Sequence, residues 1–164
     1  MNLKEKLKSG SLLLDGAAGT WLHEADITPE QWGDVEGCNE WLNLSAPDII
    51  RGLHRAYFEA GSDAVETNTF GASPVTLGEY GLADRAYEIS KAGAALAREV
   101  ADEFSGYVFG SIGPGTKLPS LGQISFDELC EGYKIQIQGL LDGGVDGLLI
   151  ETCQEIFPIQ YIGL

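Results

Sequence analysis

The sequence predicts an α/β protein with a parallel sheet, organised as the first half of a (β/α)8 TIM barrel. Three observations point there. Short apolar runs bounded by turn residues recur along the chain, which suits strands buried on both faces. Stretches with helical apolar spacing separate those runs. One strand-entry pattern occurs twice, which marks a repeating unit.

The elements follow in order. Leu12-Leu13-Leu14 is the first expected strand and ends at Asp15-Gly16. Ser45-Ala46-Pro47-Asp48 has capping-box spacing, with Pro in the first turn. Ile49, Leu53, Ala56, Tyr57 and Ala60 then share a helical face, and Gly61 can end that helix. Ala64-Val65 is the second strand and leads into Glu66-Thr67. Leu82, Ala86, Ile89, Gly93, Leu96 and Val100 make the apolar stripe of a longer helix. The third strand, Tyr107 to Ile112, stops at Gly113-Pro114-Gly115. A second capping box, Ser125-Phe126-Asp127-Glu128, opens a helix that Gly143-Gly144 closes, and Cys130 falls on its apolar stripe as a core residue. Leu148-Leu149-Ile150 is the fourth strand and ends at Glu151-Thr152.

The repeated pattern lies at residues 60–67 and 143–152. Each copy reads helix end, Gly-x-Asp, strand, Glu-Thr. The offsets Asp63 to Glu66 and Asp146 to Glu151 are both odd, so each Glu bears the same facing to its Asp on a strand of period two. About four strand–helix units are visible, against the eight units and roughly 250 residues of a closed barrel. Residues 1–164 are therefore expected to be a partial barrel domain, truncated on its C-terminal side. An open doubly wound sheet is the alternative, but no G-x-G-x-x-G turn follows the first strand.

Composition narrows the function. With 44% hydrophobic and 21% charged residues, the chain is of ordinary globular make-up. Ten Lys and Arg against 25 Asp and Glu leave a net charge of −15, which disfavours nucleic acid and anionic membrane surfaces as partners. No apolar run approaches the ~20 residues of a membrane span. The charged start, Met1 to Lys8, does not read as a secretory signal. Three cysteines without a C-x-x-C pair argue for a reducing compartment, taken here as the cytoplasm. His23 and His54 are isolated and match no zinc spacing. Between Lys8 and Arg51 there is no Lys or Arg, while Glu24, Asp26, Glu30, Asp34, Glu36 and Glu40 fill the gap. That stretch is either a solvated acidic loop or a field favouring a cationic group.

In both architectures chemistry sits at the carboxyl ends of the strands. Four groups land there: the loop from Asp15 and Gly16 to Thr20, the segment from Glu66 through Asn68 to Phe70, Ser111 to Gly115, and Glu151 to Cys153. Three carboxylates at three strand ends suit an ammonium group. The Gly-rich loop offers backbone N–H groups to a carboxylate, and it lacks the Gly-Lys-Ser/Thr ending of a phosphate loop. Together they fit a zwitterionic amino acid. The alternatives are that Asp15 caps the next helix and that Glu66 and Glu151 form salt bridges inside a barrel layer.

The segments Leu14 to Thr20, Cys38 to Ser45, Ala56 to Asp63, Glu66-Thr67-Asn68-Thr69-Phe70, Gly110 to Pro114 and Leu149 to Thr152 carry a family resemblance. The chain resembles the homocysteine S-methyltransferase family over nearly its whole length, and most closely the homocysteine-binding domain of its cobalamin-dependent members. The resemblance implies a (β/α)8 barrel that binds homocysteine and a zinc ion. It also implies that Asp15, Gly16 and Glu151 contact the amino-acid part of homocysteine. Glu66 and Asn68 join them as candidates from their place at a strand end. The zinc of the complete domain is implied to be held by three cysteines of the barrel's second half, so no metal ligand is assigned in this chain. Cys38 and Cys153 do not match those positions. Zinc would turn the homocysteine thiol into a thiolate that takes a methyl group and leaves as methionine. The methyl donor is open among a cobalamin on a separate domain or protein, betaine and S-methylmethionine. Two further readings stand beside this one: a non-catalytic half-barrel that self-associates through its open edges or binds another chain, and an unrelated α/β enzyme. The last residues, Phe157 to Leu164, depart from the expected amphipathic helix because Pro158 falls in its opening.

Overall fold

The computed structural model describes residues 3–153. Its framework is a parallel sheet of three strands, β1 (Ala64–Glu66), β2 (Tyr107–Ile112) and β3 (Gly147–Ile150), in the order β1-β2-β3. Val65 stands opposite Val108, and Phe109 opposite Gly147. The helices are α1 (Leu3–Ser9), α2 (Ala18–Glu24), α3 (Pro29–Trp32), α4 (Leu42–Ser45), α5 (Pro47–Glu59), α6 (Pro74–Leu77), α7 (Ala86–Phe104) and α8 (Phe126–Asp142), with short 3-10 turns between some of them. Crossover helices α7 and α8 join successive parallel strands, as a parallel sheet requires.

The first expected strand is corrected. Residues 12–14 are extended and bonded to β1, yet they are not a strand among the described residues. Asp63 and Ala64 donate their N–H groups to Leu13 O, and Asp15 N–H donates to Ala64 O at 3.1 Å. The ladder is too short to count as a strand, and Leu13 is more than half exposed. Three strands thus stand where four were expected.

The Gly-x-Asp repeat has a structural cause. Asp63 Oδ2 accepts the N–H of Leu13, and Asp146 Oδ2 accepts the N–H of Val108. Each Asp precedes one strand and fastens the start of the chain segment beside it. Lys6 of α1 pairs with Asp63 at 3.2 Å, and Arg98 of α7 pairs with Asp146 at 2.7 Å.

Helix starts separate the two capping boxes. Ser125 accepts from Glu128 N–H, while the Glu128 carboxylate accepts from Ser125 N–H, as expected. The box at Ser45 does not form. Pro47 is the first residue of α5, Ala46 is its N-cap, and the Ser45 hydroxyl donates instead to Trp41 O. Thr28 and Gln31 form a box that the same rule would have found.

Two buried clusters hold the sheet to its helices. Ile112 packs with Leu129, Tyr133, Ile137 and Leu140 of α8. Val65 and Val108 pack with Phe58 of α5 and Ala97, Val100 and Ala101 of α7. Helices α7 and α8 approach closely at Gly139, where a Cβ would meet Tyr87 O at 2.6 Å. Cys130 is buried on the α8 stripe, as expected. No helix among the described residues is long and apolar enough to cross a membrane. The expected break at Pro158 lies outside the described residues.

Candidate functional site

The carboxyl ends of the strands open onto a cavity of about 470 Å³. Asp15, Gly16, Glu66, Asn68 and Glu151 all line it, so the five candidate residues are brought together. The Gly-rich loop through Gly19 forms one wall.

Asp15 reaches the cavity through its bond to β1. Its two carboxylate oxygens accept the Glu66 N–H at 3.1 and 3.0 Å. It therefore does not cap α2, whose N-cap is Ala17 without a side-chain bond. Gly16 sits under Tyr57, whose hydroxyl donates to Ala17 O at 3.1 Å. A Cβ at Gly16 would stand 3.1 Å from that hydroxyl oxygen, so the loop packs tightly on the α5 side chain.

Glu66 ends β1, and Glu151 follows β3. Their carboxyl groups come close enough in the cavity lining for the Glu151 charge to act on Glu66. Ser111, at the end of β2 between them, donates its hydroxyl to Glu151 Oε1 at 2.5 Å. Among the described residues neither Glu forms an ion pair. The barrel-layer salt bridge is thus not what these residues make here.

The electrostatics follow from that crowding. Burial, then the charges of Glu151 and Asp15, push Glu66 up to about 7. Burial outweighs the bond from Glu66 N–H and lifts Asp15 to about 6. Carboxyl groups so placed hold protons near neutrality until a cation replaces them. Among the described residues no Lys, Arg or His lines the cavity, and Glu40 adds a fourth acidic side chain.

A network of polar bonds runs through the cavity lining and the groups packed against it. Ser111 N–H donates to Thr67 Oγ1, Thr67 and Thr69 hydroxyls meet at 2.6 Å, and Thr69 donates to Ser111 O at 2.8 Å. Gln136 of α8 donates to Thr69 O at 2.7 Å. Glu40 Oε1 accepts Gly71 N–H at 2.7 Å. These bonds fix the segment after β1, which carries no regular structure of its own.

The strand-end rule places Ser111 on the functional face but does not mark it as a site residue, and it does not reach Asn39 and Glu40. Asn39 and Glu40 come from a 3-10 turn and not from a strand end; the resemblance segment Cys38 to Ser45 contains both, and the acidic gap before Arg51 contains Glu40, without marking either as a site residue. Cys153 lies beyond the lining; its thiol points at Ile112 O from 4.0 Å, and burial pushes it up.

A model of the homocysteine S-methyltransferase family matches residues 12–162. The chain belongs to that family. Methionine synthase of Mycobacterium tuberculosis (strain ATCC 25618 / H37Rv) is 46% identical across 97% of this chain. That of Mycobacterium leprae (strain TN) is 44% identical over the same share. The chain spans 14% of the length of each of these relatives. In fold it is similar to the homocysteine methyltransferase MmuM of Escherichia coli in its metallated form, with a TM-score of 0.76 at 23% identity over 96% of this chain and 59% of that one. The oxidised form of the same enzyme gives 0.74. The family resemblance read from the sequence is thereby shown, as is its α/β fold with a parallel sheet.

Proposed function

We propose that residues 1–164 are the front part of a homocysteine-binding (β/α)8 barrel, and that the cavity takes the amino-acid end of homocysteine. The observation that supports this best is the meeting of Asp15, Glu66 and Glu151 in a cavity whose lining, among the described residues, has no cationic side chain. A ligand ammonium group would supply the missing positive charge and donate to Glu66, Glu151 and Asn68. The Asp15-Gly16 loop would face the rest of the amino-acid end. Each charge-assisted bond contributes roughly 1.5–3 kcal/mol.

Zinc is the metal that the family resemblance implies, and the described residues do not fit it. No group of three or more His, Cys, Asp or Glu among them could hold a metal ion. Cys38 is buried, with Glu40 3.8 Å from its sulfur, and burial beside that charge pushes its thiol up to about 11. Cys130 is buried in the core of α8. No methyl-transfer step is therefore derived from this chain, whose residues are assigned to the substrate's head group alone. A cobalamin on a separate domain or protein remains one source of the methyl group in the proposal, with betaine and S-methylmethionine as the others.

The test is a titration of the isotope-labelled 164-residue chain, followed by NMR under reducing conditions. L-Homocysteine should shift the amide signals of Gly16, Asn68 and Ser111 and saturate on the order of millimolar. Its analogue without the ammonium group, 4-mercaptobutanoate, should bind about tenfold more weakly or worse. Equal binding of both, or no saturable shift with either, contradicts the reading.

A further inference from the structure

The orientation of one carboxamide in the cavity wall is decided by buried groups outside it. Asn43 of α4 is 3% exposed and does not line the cavity. Its Nδ2 donates to two backbone carbonyls, Asn68 O at 2.8 Å and Ile89 O at 3.2 Å. Carbonyl oxygens only accept, so Nδ2 must face them, and Asn43 Oδ1 must face the other way. There it accepts from Asn68 Nδ2 at 2.9 Å. The second Asn68 Nδ2 proton goes to Asn39 O at 2.8 Å. Turning the Asn68 amide over would set its oxygen against two acceptors, Asn43 Oδ1 and Asn39 O.

Both donors of Asn68 are therefore consumed within the protein. Its Oδ1 has no protein partner among the described residues and is not sealed from the cavity, which Asn68 lines. The space for this arrangement is kept by Gly93 of α7, where a Cβ would stand 2.5 Å from Asn43 Nδ2. A residue at position 93 with any side chain would push Asn43 out of register with Asn68.

We propose that Asn43 is a positioning residue that locks the Asn68 carboxamide with its oxygen turned into the cavity, making Asn68 a fixed acceptor for the ligand's ammonium group. This rests on the amino-acid reading of the cavity and adds a determinant of specificity to it. A carboxamide free to rotate would offer its NH2 face equally well and would tolerate a ligand with an acceptor in place of the ammonium. The locked amide rejects that ligand, because its oxygen would meet another acceptor.

The test has two arms. In the parent chain, the Asn68 side-chain NH2 protons should exchange with water much more slowly than those of a free carboxamide, as measured by NMR. Free-amide exchange overturns the lock without any ligand being added. In the second arm, Asn43→Ala and, independently, Gly93→Ala are titrated with L-homocysteine and 4-mercaptobutanoate. Either substitution should weaken homocysteine by about tenfold and leave the analogue within about twofold, so the preference between them shrinks. A merely structural loss would weaken both ligands together. If the parent prefers homocysteine and both variants keep the full preference, the lock is wrong and the amino-acid reading stands. If the parent shows no preference at all, the amino-acid reading falls and the acceptor role falls with it.

Discussion

Glu66 is half-buried beside the charges of Glu151 and Asp15, and that crowding has a pH signature. Glu66 ordinarily titrates at 4.5, but in the folded chain it is pushed up to about 7. Asp15 moves in the same direction, to about 6. Between the ordinary and raised values the folded chain therefore binds more protons than the unfolded one. Stability from these groups is full below the ordinary values, falls as pH rises, and levels off above about pH 7. Glu66→Gln should flatten that fall and raise stability at pH 8 by about 1 kcal/mol, after allowance for solvent around a half-buried group. Thermal unfolding of parent and variant from pH 5 to 8 checks it. Ligand binding should run the opposite way, because an ammonium group needs the ionised carboxylates. Homocysteine affinity should rise by about tenfold or less from pH 6 to 8. An affinity that falls over that range would count against the carboxylate pair as the ammonium site.

At the scale of elements, the sequence was most legible where local chemistry decides the outcome. The α8 stripe and the Ser125–Glu128 box could be read directly, because a cap and a helical period are local properties. Ser125→Ala should cost about 1 kcal/mol by chemical denaturation. The Ser45 box failed because Pro47 sets the helix start one residue later than the spacing suggested. The extended residues 12–14 were misjudged because strand assignment depends on neighbours, and a neighbour cannot be read from the run itself. Candidate site residues at strand ends were legible from alternating facing. Asn39 and Glu40 were not, since a 3-10 turn outside the strands brings them in. The close contact of α7 and α8 was also hidden, as a glycine does not announce what faces it. Gly139→Ala should destabilise by about 1–3 kcal/mol, seen as a lowered midpoint of thermal unfolding.

Among the described residues β3 is at one edge of the sheet, and Ile150 of that strand and Leu141 of α8 are exposed. An unpaired parallel edge beside apolar side chains is a template for another strand. If the partial-barrel proposal holds, the 164-residue chain should self-associate. Sedimentation velocity should show species larger than one chain, and a sharp monomer with cooperative unfolding would oppose the proposal. The same chain should purify without one equivalent of zinc. Elemental analysis finding one tightly bound zinc, lost on Cys38→Ser or Cys153→Ser, would overturn the division of labour in which this part holds only the head group.

The most direct test of that head-group role is a single substitution. Glu151→Gln keeps the shape of the side chain and removes its charge, while Glu79→Gln alters an exposed residue outside the cavity lining. Glu151→Gln should weaken L-homocysteine binding by about tenfold or more, equivalent to about 1.4 kcal/mol, and Glu79→Gln should change it by less than about twofold. Homocysteine bound by the Glu151→Gln chain as tightly as by the parent would contradict it.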